Sequence, residues 1–334
     1  MARLTESLPA TGDDARRPLV SAIIPTRNRQ GVVPVAVRSV LRQTYRPLEL
    51  VVVDDESLPA VSLDGLQSGD VPVRLVRLDP AEGAGPARNR GVREAAGRLI
   101  AFLDDDDEWR PDKIERQVAA LTAAGDGVAG VDCGYEMWDG RRLHSRYRPD
   151  PGRDLRTALL SHPTMCPSAV MLRRESFLAA DGFDASMQRA EDWDLWVRIA
   201  DRADVQAMPE VLVDRRFHDP PPDVNLASYR RIVEVLQLRI DRLDGERRRR
   251  VDATHQLNLG VLLARSGERA EARRALLRAW RLQPRGIRPL VQLGRTMVGD
   301  RAWERLAAAL RPARAAFSDG WRGRPRRGSR AGVR

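Results

Sequence analysis

The sequence contains few of the residues that build disulfide frameworks or zinc sites. It has two cysteines, Cys133 and Cys166, and four histidines among 334 residues. Two cysteines cannot form a disulfide framework or a zinc ribbon, and their scarcity is typical of proteins from a reducing compartment. No histidine pair has the HExxH spacing, so a zinc hydrolase of that kind is excluded.

The sequence also lacks long apolar segments. No uninterrupted apolar stretch approaches the roughly 20 residues that a membrane-spanning helix needs. Residues 1–18 are polar and contain no apolar run, so we expect a flexible N-terminus without a signal peptide. These absences predict a cytoplasmic protein whose contact with a membrane is at most peripheral, at the inner face.

Lysine is almost absent, and the positive charge is unevenly distributed. Lys113 is the only lysine, and the formal net charge is +10. Residues 226–334 hold 27 arginines and 10 acidic residues, which leaves 30 basic and 37 acidic residues for residues 1–225. An acidic first part argues against nucleic acid as the partner. The basic C-terminal third is instead an expected surface for a protein partner or for an anionic membrane.

The glycine-rich phosphate loops of two common nucleotide-binding classes are missing. The segment PTRNR, residues 25–29, follows the first predicted strand, where a dinucleotide-binding protein would have GxGxxG. The sequence contains no GxxxxGK[ST], so a P-loop NTPase is excluded. If the chain binds a nucleoside diphosphate, other groups must hold the phosphates.

What the first hundred residues do contain is an alternation of strand and helix patterns. Helical patterns separate short, β-branched apolar runs, which predict four buried strands at residues 19–24, 48–53, 73–78 and 99–103. Such alternation is typical of an α/β fold with a mainly parallel sheet, whose strand-end loops meet at one edge. Three polar loops are therefore expected to converge: residues 25–29, 54–57 and 104–107.

The last of these loops is a run of four aspartates, Asp104 to Asp107, in the segment GRLIAFLDDDDEW. Adjacent carboxylates repel one another, so a folded chain keeps them where water or a cation compensates their charge. One interpretation is a solvated acidic turn. The other is a divalent metal that carries a phosphorylated substrate, which the position at the end of a buried strand favours.

Four segments of the chain together resemble the family 2 glycosyltransferases. In the order and spacing of that family, the sequence contains VSAIIPTRNR (20–29), LELVVVDDES (48–57), ARNRGVREAAGRLIAFLDDDDEWRPDKI (87–114) and GFDASMQRAEDWDLWVRI (182–199). The resemblance implies a GT-A fold, a single α/β domain with a nucleotide-sugar half and an acceptor half. We expect this domain to span residues 19–222.

The resemblance also assigns expected roles in binding a nucleotide-sugar. Pro25, Thr26 and Arg29 match the loop beside the nucleotide base. Asp55 matches the base-contacting aspartate, with Asp54 supporting it or the ribose. Asp104 and Asp106 match the aspartate-x-aspartate motif that binds Mn²⁺ or Mg²⁺, with Asp105 between them in the nucleotide-sugar site. Independently of the resemblance, Asp107 is expected to cap the helix that follows Pro111. His218 is a further expected metal ligand.

The acceptor side is expected to lie at the second acidic segment, RAEDWDL (189–195). The resemblance makes Asp192 the base that deprotonates the acceptor hydroxyl in an inverting transfer. Glu191 and Asp184 are expected to contact the acceptor. An alternative interpretation is that Asp192 and Asp194 stabilise the first turn of a helix.

Beyond a breaker at residues 219–223 the sequence becomes helical. Residues 255–284 have apolar and glycine positions at tetratricopeptide-like spacing, so we expect an all-α region over residues 223–318. A basic, disordered tail is expected over residues 319–334. Altogether the sequence predicts an inverting, metal-dependent glycosyltransferase of cell-surface polysaccharide or glycolipid synthesis. A catalytically inactive scaffold acting through the helical tail and a nucleotidyltransferase are the alternatives.

Overall fold

The computed structural model describes residues 17–66, 69–187, 189–218 and 222–298. Nine strands form one mixed sheet in the order β3-β2-β1-β4-β8-β6-β9-β5, with β7 paired to β6. The strands are β1 Val20–Thr26, β2 Leu48–Asp55, β3 Val73–Leu78, β4 Leu99–Phe102, β5 Glu108–Trp109, β6 Val128–Asp139, β7 Arg142–Tyr147, β8 Val170–Arg173 and β9 Asp204–Arg216.

Ten α-helices accompany these strands in the described part of the chain. They are α1 Val33–Leu41, α2 Ala84–Glu94, α3 Lys113–Ala124, α4 Leu155–Ser161, α5 Arg174–Ala179, α6 Glu191–Ala200, α7 Pro222–Ile240, α8 Gly245–Arg265, α9 Arg269–Leu282 and α10 Arg288–Val298.

The predicted α/β fold is confirmed, and the parallel half of the sheet is the half that the sequence pattern describes. Strand β1 lies between β2 and β4, parallel to both, and β3 continues the parallel order beyond β2. The other half is mixed, because β8 pairs antiparallel with β4 and β6, whereas β6 and β9 are parallel. Parallel pairing brings the C-terminal ends of β1, β2 and β4 to one edge, so their loops meet there.

Two apolar layers cover the faces of the sheet. Successive side chains of a strand point to opposite faces, and β1 follows this rule. Ile23 packs in one cluster with Val92 of α2, and Ile24 packs in the other with Val37 of α1. Gly91 lets α2 approach the sheet closely, since a Cβ atom there would lie 2.4 Å from Ile23 Cγ2. The sheet edge is therefore held rigidly between helices.

The C-terminal helices belong to two compact units, which are divided between Val251 and Asp252, inside α8. Within the second unit, α9 buries Ala272, Ala275, Leu276 and Ala279. Gly260 of α8 allows close packing, because a Cβ atom there would lie 2.7 Å from Leu276 Cγ. The predicted helices are present, and the tetratricopeptide assignment stays a prediction.

Several predictions concern residues that the structure does not describe. The flexible N-terminus and the basic tail lie largely or wholly outside the described residues, as do residues 219–221 of the predicted breaker. Among the helices that are described, none has both the length and the apolar character needed to cross a membrane.

Candidate active site

The loop after β1 is tied to the aspartate run at the edge of the sheet. Pro25 and Thr26 end β1 beside Val53 and Asp54 of β2. The Thr26 hydroxyl donates a hydrogen bond of 2.7 Å to Asp105 Oδ2. Arg29 Nη1 donates to Asp105 Oδ1 at 3.2 Å and also contacts the Asp106 carboxylate. The structure thus brings Thr26 and Arg29 together with the aspartates, as the sequence predicts.

Burial dominates the electrostatics of Asp105. The residue is 8% exposed, and desolvation raises the pKa of its carboxyl group to about 6. The hydrogen bond from Thr26 and the charge of Arg29 oppose this effect, whereas the neighbouring carboxylates of Asp106 and Asp104 add to it. Asp105 is therefore a buried side chain whose position is fixed by its contacts with Thr26 and Arg29.

Asp54 and Asp55 shape the loop after β2. Asp54 Oδ1 accepts from the Ser57 backbone N–H at 2.9 Å, and its Oδ2 accepts from Arg77 Nη1 at 2.6 Å. Although burial opposes it, these hydrogen bonds hold the pKa of Asp54 below its usual range. Asp55 accepts from the backbone N–H groups of Glu82 and Gly83, at 2.7 and 3.0 Å. Both carboxylates thus order the loops that lead to the sheet edge.

One arginine of α2 joins the aspartate run to the second acidic segment. Arg88 is 6% exposed, and its Nη2 donates to Asp104 Oδ1 at 2.6 Å while its Nη1 donates to Glu191 Oε1 at 2.9 Å. Burial raises the pKa of Asp104, but Arg88 and Arg215 outweigh it and keep that pKa below its usual range. Two segments separated by almost ninety positions therefore share one guanidinium group.

Asp106 contacts the segment that follows β9. Its Oδ2 is 2.7 Å from His218 Nε2, at the end of the segment after β9. The same Asp106 carboxylate also contacts the Arg29 guanidinium. In the part of the chain that the structure describes, no three His, Cys, Asp or Glu side chains converge as ready-made metal ligands. Asp106 and His218 thus provide two possible metal-ligand atoms, which are not a complete cation site.

Asp107 does not cap the helix after Pro111, and that prediction is wrong. The N-cap position of α3 is Asp112, which makes no capping hydrogen bond with its side chain. Asp107 is 1% exposed, and its carboxylate accepts from the Ser168 hydroxyl at 2.7 Å and from the Arg216 backbone N–H at 3.0 Å. Burial raises its pKa to about 6. Asp107 instead ties β9 to the aspartate run.

Asp192 occupies the first turn of α6, next to the Arg88 bridge. The N-cap position is Ala190, so Asp192 is not the cap, although the acidic first turn favours the helix dipole. Burial raises the pKa of Asp192 to about 6, the Glu191 carboxylate raises it further, and the charge of Arg88 opposes both. Trp193 and Trp196 of the same helix are buried in the core and hold this turn in place.

Asp184, the remaining predicted residue, organises its own turn. Its Oδ1 accepts from the Ser186 backbone N–H at 2.8 Å, and this hydrogen bond lowers its pKa. The preceding residue, Phe183, is held by Asn89, whose side-chain amide donates to the Phe183 carbonyl at 2.8 Å. Asp184 is exposed and stands apart from the contacts that join the other carboxylates.

Sequence reasoning missed Arg88 and Ser168. Arg88 lies in the segment ARNRG of α2, the short helix before β4. The sequence signal that could have identified it is an arginine among the residues that this helix buries. Ser168 accepts a hydrogen bond from the Asp104 backbone N–H at 3.1 Å and donates to Asp107. It carries no motif signal, because its position depends on the contact between distant segments.

Replacing Arg88 with methionine is expected to destabilise the fold by about 3 kcal/mol, because it removes the nearest cation from the carboxylates of Asp104 and Glu191 in a largely buried site. Chemical denaturation measures this change. The control is Arg90→Met on the same helix, where Arg90 pairs with Glu94 at 2.9 Å in an exposed position. That variant is expected to lose less than about 1 kcal/mol. Equal losses in the two variants would contradict a special role of the buried bridge.

Comparison with known families gives a match to the model described as glycosyl transferase family 2, over residues 21–179. An uncharacterised glycosyltransferase of Rickettsia typhi is 31% identical over 209 residues, which cover 60% of this chain and 65% of that protein. The chain thus spans slightly less than two thirds of this relative. The Escherichia coli UDP-Glc:alpha-D-GlcNAc-diphosphoundecaprenol beta-1,3-glucosyltransferase WfgD is 30% identical over 190 residues, covering 57% of this chain and 73% of WfgD.

Among solved structures, the chain is similar to the mannosyltransferase PcManGT from Pyrobaculum calidifontis, in complex with GDP-Man and Mn²⁺. The TM-score is 0.55 at 21% identity, and the match covers 92% of this chain and 82% of that one. At this level of identity the likeness establishes the shared GT-A fold.

Proposed function

Because the chain belongs to the family 2 glycosyltransferases, we propose that it transfers a sugar from a nucleotide-sugar to an acceptor hydroxyl with inversion at the anomeric carbon. One observation carries the proposal. The Arg88 guanidinium bridges Asp104 of the aspartate run and Glu191, the neighbour of Asp192, with contacts of 2.6 and 2.9 Å. A donor-binding group and a general base are thereby available on two sides of one site, which an inactive scaffold would not need.

The donor half of the site would be formed by the loops after β1 and β2. The nucleotide base would lie beside Pro25, Thr26 and Asp55, with Asp54 ordering the loop. The arginines of this edge suit an anionic diphosphate. WfgD is named for UDP-Glc and PcManGT was solved with GDP-Man, which supports a nucleoside diphosphate sugar as the donor class.

The residues present fit a divalent cation that binds together with the donor. Carboxylate oxygens and an imidazole nitrogen suit Mn²⁺ or Mg²⁺, and Asp106 and His218 already lie 2.7 Å apart. Asp106, His218 and Asp104 would hold the cation. Ions of this kind commonly combine one or two carboxylates with substrate phosphate oxygens. Such a cation neutralises the charge of the leaving diphosphate.

Asp192 would act as the general base, with Glu191 contacting the acceptor and Asp184 at the rim. The carboxylate takes the proton of the acceptor hydroxyl while the hydroxyl oxygen bonds to the anomeric carbon. The bond from that carbon to the diphosphate oxygen breaks, and its electron pair leaves with the nucleoside diphosphate. A pKa of about 6, raised by burial, keeps Asp192 largely ionised at neutral pH and basic enough to accept a proton.

The acceptor is proposed to be a lipid-linked or polymeric saccharide of the cell surface. WfgD acts, by its name, on a diphosphoundecaprenol-linked GlcNAc. The exposed arginines Arg274, Arg278 and Arg281 of α9 lie on one helical face at intervals of four and three residues. This face supports the proposal that residues 226–334 contact a partner protein or the anionic surface of a membrane.

A donor screen tests the proposed function. UDP-, GDP- and dTDP-sugars are added with and without Mn²⁺, and the melting temperature is measured. One donor class is expected to raise the melting temperature by about 5 °C at roughly a hundred times its Kd, and only with the metal. The absence of a metal-dependent shift for every donor would refute the proposal.

A further inference from the structure

Three arginines and one histidine surround the aspartate run, and they differ in exposure. Arg88 holds Asp104, with 7% of its side chain exposed, and Arg215 holds Asp107, with 23% exposed. Arg29 contacts Asp105 and Asp106 with 43% of its side chain exposed. Arg29 is thus the most exposed of these three cations, and it lies in the short loop between β1 and α1.

The contacts of Arg29 lie where a divalent cation would bind. Its Nη1 atom bridges the carboxylates of Asp105 and Asp106, at 3.2 Å from Asp105 Oδ1. The Asp106 oxygen that Arg29 contacts, Oδ2, is also the one that lies 2.7 Å from His218 Nε2. A metal ion and the Arg29 guanidinium therefore compete for one carboxylate oxygen.

On the basis of the proposed function, we infer that Arg29 is an internal counter-ion that occupies Asp106 until the donor diphosphate binds. The guanidinium neutralises the aspartate run in the free enzyme and lowers its affinity for the cation alone. When donor and cation bind together, Arg29 leaves Asp106 and pairs with the diphosphate, for which a guanidinium is a geometrically suited partner. Arg29 thereby makes cation binding depend on the donor.

The size of the effect follows from charge and exposure. Removing one positive charge about 6 Å from a divalent cation strengthens cation binding by about tenfold when the pair is screened as in water, which is the smallest gain that relief of the Coulomb repulsion gives at this distance. The loss of the direct competition at Asp106 acts in the same direction. Because Arg29 makes cation binding depend on the donor, its loss also reduces the factor by which UDP or GDP strengthens Mn²⁺ binding. Coupling is reciprocal, so the factor by which Mn²⁺ strengthens nucleotide binding falls equally.

The test measures Mn²⁺ binding rather than activity. Electron paramagnetic resonance of free Mn²⁺ gives the Kd of the full chain for Mn²⁺ alone, with UDP and with GDP. The variant Arg29→Gln is expected to bind Mn²⁺ alone about tenfold more tightly than the unmodified chain. Arg29→Lys keeps the charge but loses the bridge between two carboxylates, so its Kd is expected to lie between the two.

The matched control is Arg27→Gln, which removes the same charge two residues away. Arg27 lies 3.7 Å from Glu56 and has 53% of its side chain exposed. The Arg27→Gln variant is expected to change Mn²⁺ affinity by less than about twofold, since solvent screens the charge of a side chain that is exposed and does not contact the aspartate run.

Two negative outcomes are distinguishable. If UDP or GDP promotes Mn²⁺ binding in the unmodified chain but Arg29→Gln binds Mn²⁺ alone no more tightly, the role of Arg29 is refuted and the proposed donor site stands. An equal gain in Arg27→Gln also refutes it. If the unmodified chain binds no Mn²⁺ even with either nucleotide, the metal part of the proposed function fails, and the inference fails with it.

Discussion

Replacing Asp192 with asparagine is expected to lower kcat by about a thousandfold while leaving donor affinity within about twofold of the original. The amide has nearly the shape of the carboxylate but cannot accept the proton of the acceptor hydroxyl. The Arg88 bridge between Asp104 and Glu191 does not involve Asp192, so the donor side should persist. Steady-state kinetics with the donor identified by the screen, together with calorimetry of donor binding, measures both quantities.

The pH dependence provides a second readout of the same residue. Burial raises the pKa of Asp192 to about 6, and the groups around it are the Glu191 and Asp104 carboxylates and the Arg88 guanidinium. A base works only in its ionised form, so kcat is expected to fall as the pH drops through about 6 and to level off above pH 7.

The control for the Asp192 substitution is Asp201→Asn, at the other end of α6, where Asp201 pairs with Arg239 at 2.8 Å. This variant should keep nearly full activity. An active Asp192→Asn enzyme would refute the base assignment.

Replacing Asp106 with asparagine is expected to weaken Mn²⁺ binding in the presence of UDP or GDP by about a hundredfold. Loss of outer-shell partners alone commonly costs 10- to about 100-fold in metal affinity, and a direct carboxylate ligand contributes at least as much. The metal-dependent rise in melting temperature should disappear with it. Electron paramagnetic resonance of free Mn²⁺ measures the loss of affinity, and thermal melting in the presence of the nucleotide and Mn²⁺ measures the loss of the temperature shift.

The matched control for this substitution is Asp112→Asn. Asp112 is an aspartate close in sequence, and it pairs with Arg116 at 2.5 Å in an exposed position. That variant should retain Mn²⁺ binding. If Asp106→Asn binds Mn²⁺ as well as the control does, the cation is held by other members of the run.

The strand-end carboxylates illustrate how much of the site is visible in the sequence. Asp54, Asp55 and Asp104 each follow or end an apolar run, and the alternation of strand and helix patterns predicts that these runs become parallel strands of one sheet. The structure has those strands, with the register from Val20 to Leu48 and to Leu99. Prediction was weaker in the second half, because the antiparallel pairing of β8 with β4 departs from the parallel order that an alternation of strands and helices predicts.

Within the aspartate run, the residues differ in their contacts with segments that are distant in the chain. No local sequence pattern contains these contacts. The four residues are the same amino acid, yet Asp107 contacts Ser168 and the backbone of β9, whereas Asp106 contacts His218. Exposure and partners, rather than residue type, distinguish them. The expected helix cap at Asp107 was wrong for this reason.

The sequence alone determined the order of strands and helices in the first hundred residues, the carboxylates at the strand ends and the membership in a glycosyltransferase family. These properties depend on local apolar periodicity and on motifs of a few consecutive residues. Only the tertiary structure decided that Arg88 joins Asp104 to Glu191 and that Arg29 holds Asp106. Such ion pairs form between segments that are distant in the chain, so they exist only after the sheet and its helices have packed.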